Sequence, residues 1–463
     1  MSLKAYLADN ARQTVSRIQL SVILSLLAGL VACLIFIPPA RIGFIALMGG
    51  LWVVMATWRL ICIHQPISDP ISLNQQPLVW PRYTVVAALY DEAAIIPQLI
   101  ERLSRIDYPS DRLQGFLALE AHDLASQAAA RALDLPEWLS ILIVPPGNPQ
   151  TKPRALNYAL ERATGDIITV YDAEDDPDPL QLKEAALTFL SGGSDLVCLQ
   201  APLRIRRKSK LRSKSPFLDT QFAVEYAALF EVTLPALTRL GLPFPLGGTS
   251  NHFRTQHLRQ IGGWDAWNVT EDADLGFRIW RTGGRLGTLT RPTYETPPGD
   301  LSLWLPQRTR WIKGYMQTLL VHTRHSIGMG RKGWLAIFLT IGSGLASAAV
   351  HALSMAWIIA IYLTALISQQ MPPVPPFATG ILCIGISASL LLAIEGAKRA
   401  GTPFGFKDML MAPLYWSLLT LAFAHAFTRL IFQPHHWDKT PHRPDIGVEE
   451  AIEVYADAGR QAA

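Results

Sequence analysis

Apolar residues fall along this chain in two kinds of run. Long runs without charge stand at both ends, and short runs interrupted by polar residues fill the middle. Ile18 to Pro38 is long enough to span a bilayer, and a second such run extends from Gly43 to Ile63. The PPARIG segment between them predicts a hairpin. From Pro81 to Arg324 the pattern changes. YTVVAALY (83–90), FLALEA (116–121), LSILIVP (139–145) and DIITVYDAE (166–174) read as buried strands. IIPQLIERLSRI (95–106) reads as an amphipathic helix and ALNYALERA (155–163) as a second helix. Strands alternating with helices predict an α/β domain with a mostly parallel sheet. After Arg331 the chain is apolar again. Trp334 to Ile367 is too long for one straight span, and the GSG at 342–344 predicts a break, with an interfacial helix before it and a span from about Leu345. Phe377–Glu395 and Met409–Phe432 are further candidate spans. The expected domains are a transmembrane hairpin (1–66), a soluble α/β domain with an interfacial helix (67–330), a second transmembrane region (331–433) and a tail (434–463).

Charge sets the orientation. Lys4, Arg12 and Arg17 precede the first run and Arg59 ends the second. Positive flanks stay inside, so the α/β domain is expected in the cytoplasm of a multi-pass protein of the inner (plasma) membrane. The basic GAKRAGTPFGFKD (396–408) is then cytoplasmic and QQMPPVPP (369–376) an outer loop. Counting crossings puts the tail outside, unless the last apolar segment is re-entrant. The composition agrees: 50% of the 463 residues are hydrophobic and 17% charged, against about 25% charged in ordinary soluble domains. A net charge of +4 does not by itself imply nucleic acid. The run RIRRKSKLRSK (204–214) lacks interleaved aromatics and fits anionic lipid better than a nucleic-acid partner. Cys33, Cys62, Cys198 and Cys383 show no metal or disulfide spacing.

Three acidic clusters stand where strands end: Asp91–Glu92, Glu120 with Asp123, and DAED at 172–175. Ligands of parallel sheets bind at that edge. Two carboxylates flanking one residue suit a hard divalent ion that shares its remaining ligands with phosphates. The same cluster also suits a helix start, with Asp175, Asp176 and Asp178 as caps. Asp172 ends its strand, which favours Asp172 and Glu174 for the ion. VTEDADLGFRIW (269–280) reads as a helix capped by Thr270 with acids in its first turn, an ordinary dipole arrangement. Asp272 is the residue there best suited to take a proton from a hydroxyl. GGTSNHF (247–253) offers close backbone approach to a ligand, or a plain turn. In LPQRTRWIKGY (305–315), Gln307, Arg310 and Trp311 share one helical face. Arg offers a forked phosphate donor and Trp a flat surface for a sugar ring. A membrane-surface helix would carry similar residues.

Taken together, these residues resemble the membrane-embedded, processive family 2 glycosyltransferases, the cellulose, hyaluronan and chitin synthases. ALYDE (88–92) resembles the first nucleotide-binding strand end, with Asp91 where Asn is usual. LEAHD (119–123) stands in the place of the uridine-binding acidic pair, through Asp123 or Glu120. KPRALNYAL (152–160) is similar to the family's segment near the nucleotide, and DAE (172–174) replaces Asp-x-Asp. TED (270–272) and QRTRW (307–311) match without change. The resemblance implies a GT-A fold and an inverting transfer from a UDP-sugar to the end of a growing polysaccharide, coupled to export. It implies Mg2+ or Mn2+ on Asp172 and Glu174. It implies donor binding by Asp91, Glu92, Glu120, Asp123, Lys152, Gln307 and Arg310, and a base at Asp272. Acceptor binding falls to Glu271, Trp311, Gly248 and Thr249. The implied partners are a nucleotide-sugar donor, a glycan acceptor, membrane lipids and export or regulatory subunits. Two other readings remain: a non-processive transferase acting on polyprenyl phosphate or another lipid, and an inactive membrane scaffold or receptor.

Overall fold

The computed structural model describes residues 9–67, 70–73, 77–206, 214–370 and 376–436. The centre of the basic run (207–213), much of the expected outer loop (371–375) and the tail from 437 onward lie outside these residues.

Two apolar helices open the chain, α1 (Arg17–Phe36) and α2 (Pro38–Ile63). Ser16 and Gln19 form a reciprocal cap at the start of α1. The hairpin linker is shorter than expected. Pro38 and Pro39 occupy the first turn of α2, where a missing N–H costs nothing, so PPARIG is helical and only Ile37 separates the two helices.

The α/β domain then unfolds in order: β1 (Tyr83–Leu89), α3 (Ile96–Ser104), β2 (Leu113–Glu120), α4 (Leu124–Arg131), β3 (Leu139–Val144), α5 (Lys152–Arg162) and β4 (Ile167–Tyr171). All four expected strands and both expected helices are present. Their strands are apolar on both faces because helices cover the sheet on both sides. The chain continues through β5 (Asp176–Pro177), α6 (Gln181–Ser191), β6 (Leu196–Gln200), β7 (Leu203–Ile205), α7 (Pro216–Ala227), a π-helical turn at Ala228–Thr233 and α8 (Leu234–Arg239). Next come β8 (Asn251–Arg254), α9 (Thr255–Gln260), α10 (Glu271–Arg281), β9 (Arg285–Thr288) and β10 (Thr293–Glu295). The main sheet has the order β3-β2-β1-β4-β8-β6-β9, and β5-β10-β7 form a smaller one. The pairs β1–β2, β2–β3 and β1–β4 are parallel, whereas β8 runs antiparallel to both β4 and β6. Parallel pairing places the ends of β1, β2 and β4, and the acids that follow them, at one edge.

The remaining helices are α11 (Leu301–Thr323), α12 (Gly330–Ile337), a π-helical turn at Phe338–Gly342, α13 (Ser343–Ser368), α14 (Pro376–Ala400) and α15 (Phe406–Phe432). Five helical stretches are long and apolar enough to cross a membrane, among the described residues: Arg17–Phe36, Pro38–Ile63, Gly330–Ser368, Thr379–Ala400 and Phe406–Phe432. The expected break at GSG is instead a widening. The backbone shifts to π geometry over Phe338–Gly342 and stays helical on both sides.

The contacts of the apolar helices fix which ends adjoin the α/β domain. Gln19 at the start of α1 donates to the Leu320 carbonyl at 2.7 Å. Arg399 at the end of α14 donates to the carbonyls of Ile63 and Glu231, each at 3.2 Å. The two ends of α15 also adjoin this domain or α11: Gln221 donates to the Asp408 carbonyl at 2.7 Å, and Gln317 to that of Pro434 at 3.0 Å. Residues 433–436 therefore lie beside α11 and the α/β domain.

Candidate active site

The strand ends, the loop before β8, the start of α10 and one face of α11 enclose a cavity of about 870 Å³. Asp172, Glu174, Lys152, Gly248, Thr249, Glu271, Asp272, Gln307, Arg310 and Trp311 all line it, with Glu92 and Glu120. Segments far apart in sequence, from Glu92 to Trp311, thus meet at one place.

The closest convergence is at Gly248. An ideal Cβ built on this residue would lie 3.2 Å from Asp272 Oδ2 and 4.0 Å from Asp172 Oδ2. The strand-end carboxylate and the helix-start carboxylate therefore flank the same small space. Its floor is Gly248, which has no side chain to fill it. Lys152, in the first turn of α5, donates to the Asp172 carboxylate and, at 2.8 Å, to the Gly248 carbonyl. One ammonium thus holds the loop against the strand end.

Asp175 is the main residue the sequence reading placed elsewhere. It does not cap α6, whose N-cap is Leu180 without a side-chain bond. It is fully buried, and its Oδ2 accepts from the Asp172 N–H at 2.7 Å and from the Thr249 hydroxyl. It therefore supports the turn that aims Asp172, and Thr249 is its partner. Asp176 is not a cap either, because it pairs with Arg105 at 2.6 Å and also with Arg206. Asp178 accepts from the Leu180 N–H at 2.9 Å, close to the capping role expected of it. Thr270 stands at the N-cap of α10 but makes no side-chain capping bond.

Asp91 and Asp123 do not line the cavity. Asp123 caps α4 through the Ser126 N–H at 3.1 Å and accepts from the Asp91 N–H at 2.6 Å. Asp91 is exposed at a positive φ of 53°, a conformation that Asp tolerates better than most residues. Glu120 reaches the cavity wall with both carboxylate oxygens bonded to Arg154, at 2.6 and 2.7 Å.

The two faces of α11 divide the cationic run. Gln307, Arg310 and Trp311 face the cavity. Arg308 points the other way, pairing with Glu225 at 2.8 Å and bonding the Tyr415 hydroxyl of α15 at 3.2 Å. Its guanidinium lies 4.5 Å from the Trp311 ring centre and 4.7 Å from that of Phe222. Lys313 is fully buried and donates to the carbonyls of Gln433 and His436 at 3.3 and 2.7 Å. Half of the run therefore faces the site, and half binds α11 to α15 and the segment after it.

The cavity contains more carboxylate than it can hold ionised. Burial, then the neighbouring Asp272 charge, pushes Glu271 up to about 8, although Lys152 and Arg310 pull it back. Burial also raises Asp272, against the Ala273 N–H, Lys152 and Arg310. Asp175 is raised by burial and then by Asp172 and Glu174, and Glu295 by burial and then by Asp175 and Glu174. Burial opposes the charge on Lys152, but Asp172 and Glu271 outweigh it and raise its value. Glu295, on β10, lines the same cavity and had no signal in the sequence beyond its place before two prolines. An excess of hard oxygen donors fits a divalent cation. Among the described residues no three His, Cys, Asp or Glu side chains form a complete ligand set. The fit is therefore to an ion held by one or two carboxylates and completed by phosphate oxygens and water, the usual arrangement for Mg2+.

A cavity of this kind, at the carboxyl edge of a largely parallel sheet with one reversed strand, is that of a GT-A glycosyltransferase. Residues 167–393 match the family model described as Glycosyl transferase family group 2, so the chain carries a family 2 glycosyltransferase domain. It is 26% identical over 402 residues to a beta-monoglucosyldiacylglycerol synthase of Synechocystis, covering 81% of this chain and 77% of that one. It is 27% identical over 259 residues to the cellulose synthase 1 catalytic subunit of Komagataeibacter xylinus, covering 54% and 33%. A probable glycosyltransferase of Bacillus subtilis is 22% identical over 256 residues, 54% of this chain and 59% of that one. The chain thus spans about a third of the cellulose synthase subunit and under two thirds of the Bacillus protein. Among solved structures, a mannosyltransferase of Pyrobaculum calidifontis in complex with GDP-Man and Mn2+ has a TM-score of 0.52 at 18% identity, covering 84% of this chain and 97% of that one. That likeness is one of fold.

Proposed function

We propose that this protein transfers a sugar from a nucleotide diphosphate donor, a UDP-sugar in the first instance, to a hydroxyl of an acceptor held at the membrane. The observation that carries this reading is the approach of Asp172 and Asp272 to the space above Gly248. One carboxylate serves the leaving group and the other the nucleophile. Asp172 and Glu174 are the residues that would hold Mg2+ or Mn2+, which when bound neutralises charge on the diphosphate. Arg310 adds a forked cation on the same side. Asp272 takes the proton from the acceptor hydroxyl. As that oxygen bonds to the anomeric carbon, the bond from carbon to diphosphate breaks on the opposite face, with inversion. Trp311 offers a ring to the acceptor, with Glu271 beside it, and Gln307 belongs with Arg310 to the donor side. Glu92, Glu120 and Lys152 form the donor side, with Asp91 and Asp123 shaping the loop beneath it. The catalytic domain lies on the cytoplasmic side of the inner membrane, as the basic flanks indicate.

Two acceptors fit this chemistry: the end of a growing polysaccharide, exported with the help of partner subunits, and a lipid. A specific feature favours the lipid. The cavity does not stop at the α/β domain but continues between apolar helices, past Met55 and Trp58 of α2 and Leu392 of α14. Both π-helical turns form its wall, through Leu229 and Phe230 in one and Leu339 and Ile341 in the other. A π turn widens a helix locally and is common at functional sites.

A donor screen with purified protein tests the proposal. UDP or GDP release from a panel of nucleotide sugars, dependent on Mg2+ or Mn2+ and lost with chelator, is the expected result. Release from no donor under either ion would contradict it. Product length separates the acceptors: one sugar per acceptor for a lipid, a ladder for a polysaccharide.

A further inference from the structure

At its membrane end the cavity is lined by a single guanidinium, that of Arg59, one helical turn from Met55 on the same face of α2. A charged residue near the end of an apolar helix ordinarily extends its head group to water. Arg59 does not do so fully. Its Nη1 is closed off from solvent and has no hydrogen-bond partner among the described residues. Nor do nearby acids among the described residues neutralise it. α2 packs chiefly on α14, α1, the π turn at Ala228–Thr233 and α8. Those elements carry two carboxylates, Glu395 and Glu231. Glu395 is paired with Arg399 at 2.8 Å and Glu231 with Arg204 at 2.6 Å. A partly buried cation without a counter-ion is costly unless a ligand supplies one, and ionisable residues in such helices mark ligand sites. The cavity therefore has two unlike ends. The catalytic end is rich in carboxylates. The membrane end is apolar, with one unneutralised guanidinium whose planar fork suits phosphate.

We propose that Arg59 forms a phosphate-binding subsite and that the acceptor is a phosphate-bearing lipid. Its phosphate rests on Arg59, its chains lie along the wall formed by Met55, Leu339 and Leu392, and its hydroxyl reaches Asp272. This assignment of acceptor class rests on the glycosyl-transfer reading above, whereas the binding subsite can be measured without it.

The test is lipid retention by the full-length protein in neutral detergent, read by native mass spectrometry. The probes are phosphatidylglycerol and, as a neutral lipid of like chain length, diacylglycerol. Soluble glycerol 3-phosphate serves as competitor. The wild-type protein is expected to retain phosphatidylglycerol about tenfold more tightly than diacylglycerol, the scale of one charge-assisted contact. Arg59→Gln should remove that preference and Arg59→Lys should keep part of it. Glycerol 3-phosphate at the same concentration should not compete, because it lacks the chains that the apolar wall holds. Equal retention of the two lipids by the wild-type protein would overturn the proposal, and this arm needs no variant to fold. An unchanged preference in Arg59→Gln would overturn it as well, and competition by glycerol 3-phosphate would overturn the lipid assignment. Nucleotide release from the donor panel is measured separately. Its absence would sink the transferase reading while leaving the subsite to stand or fall on retention.

Discussion

Replacing Gly248 by Ala adds one methyl group at the point where the two reacting sides meet. The new carbon would lie 3.2 Å from Asp272 Oδ2 and 4.0 Å from Asp172 Oδ2. The longer distance is ordinary van der Waals contact. The shorter one obliges Asp272 or the loop to yield by a few tenths of an ångström, and the methyl also occupies space needed by the acceptor oxygen. Displacement of a catalytic group by about 1 Å costs on the order of 10²-fold in rate, or about 2.7 kcal/mol of barrier; the smaller shift here costs part of that, and exclusion of the acceptor oxygen adds the rest. Folding should not suffer comparably. Gly248 does not have a positive φ, so Ala can adopt its backbone conformation. Gly-to-Ala replacement at such a site stabilises by about 0.4–1 kcal/mol through the unfolded chain, which offsets the tight contact. The assay pairs transfer rate under saturating donor with thermal unfolding of the same preparation. The expected outcome is a rate lowered roughly 30- to 100-fold with an unchanged melting temperature. Transfer within twofold of wild type at unchanged Tm would refute the placement of both carboxylates around this space.

Further outcomes follow from the same geometry. Arg308→Ala leaves Glu225 and Tyr415 without their shared cation and, with Glu225 partly solvated, should cost about 1–2 kcal/mol, seen as a lower Tm. Arg310→Ala, two residues away and facing the cavity, should lower transfer with little change in Tm. The Glu271 carboxyl binds its proton more tightly folded than unfolded, because burial raises it to about 8 from an ordinary 4.5. That contribution is whole below pH 4.5 and is lost as pH rises through 8. The metal-free protein should therefore melt at progressively lower temperature from pH 5 to 8, and Glu271→Gln should flatten the slope. An identical slope in the variant would show that the repulsion lies elsewhere.

Much of the fold was legible in the sequence because short apolar runs with turn signals leave few alternatives. β1 to β4 lie where the pattern puts them, and their parallel pairing gathers the strand-end acids. β6, β8 and β9 were not read. β8 is four residues long and begins directly after the Gly-rich loop, so its apolar content is too small to register, and its antiparallel pairing depends on non-local contacts. The i, i+3, i+4 spacing of Gln307, Arg310 and Trp311 gave their common face correctly. The same spacing could not reveal that Arg308 and Lys313 serve α15 and the residues after it, because those partners lie more than 80 residues away in sequence. The buried role of Asp175 is hidden in the sequence for a related reason. Acids after a strand suit a cap and a buried support equally well, and only the packing of Thr249 against the turn distinguishes them. Asp91 and Asp123 share the spacing of ligand-binding residues, yet a capping bond turns Asp123 toward α4. Five apolar helices could be counted from hydropathy alone. The placement of residues 433–436 against α11 could not be read that way, since it depends on hydrogen bonds from Lys313 and Gln317.

The central claim is that the donor side at Asp172 and the proton acceptor at Asp272 are separate functions meeting at one point. Asp272→Asn tests it most directly, because the amide keeps the size of the side chain and removes its basicity. Titration of UDP with Mn2+, followed by transfer on the same sample, should show nucleotide affinity within about threefold of wild type and transfer reduced by at least about 10²-fold. Transfer at the wild-type rate, or loss of nucleotide binding in step with loss of transfer, would contradict the account.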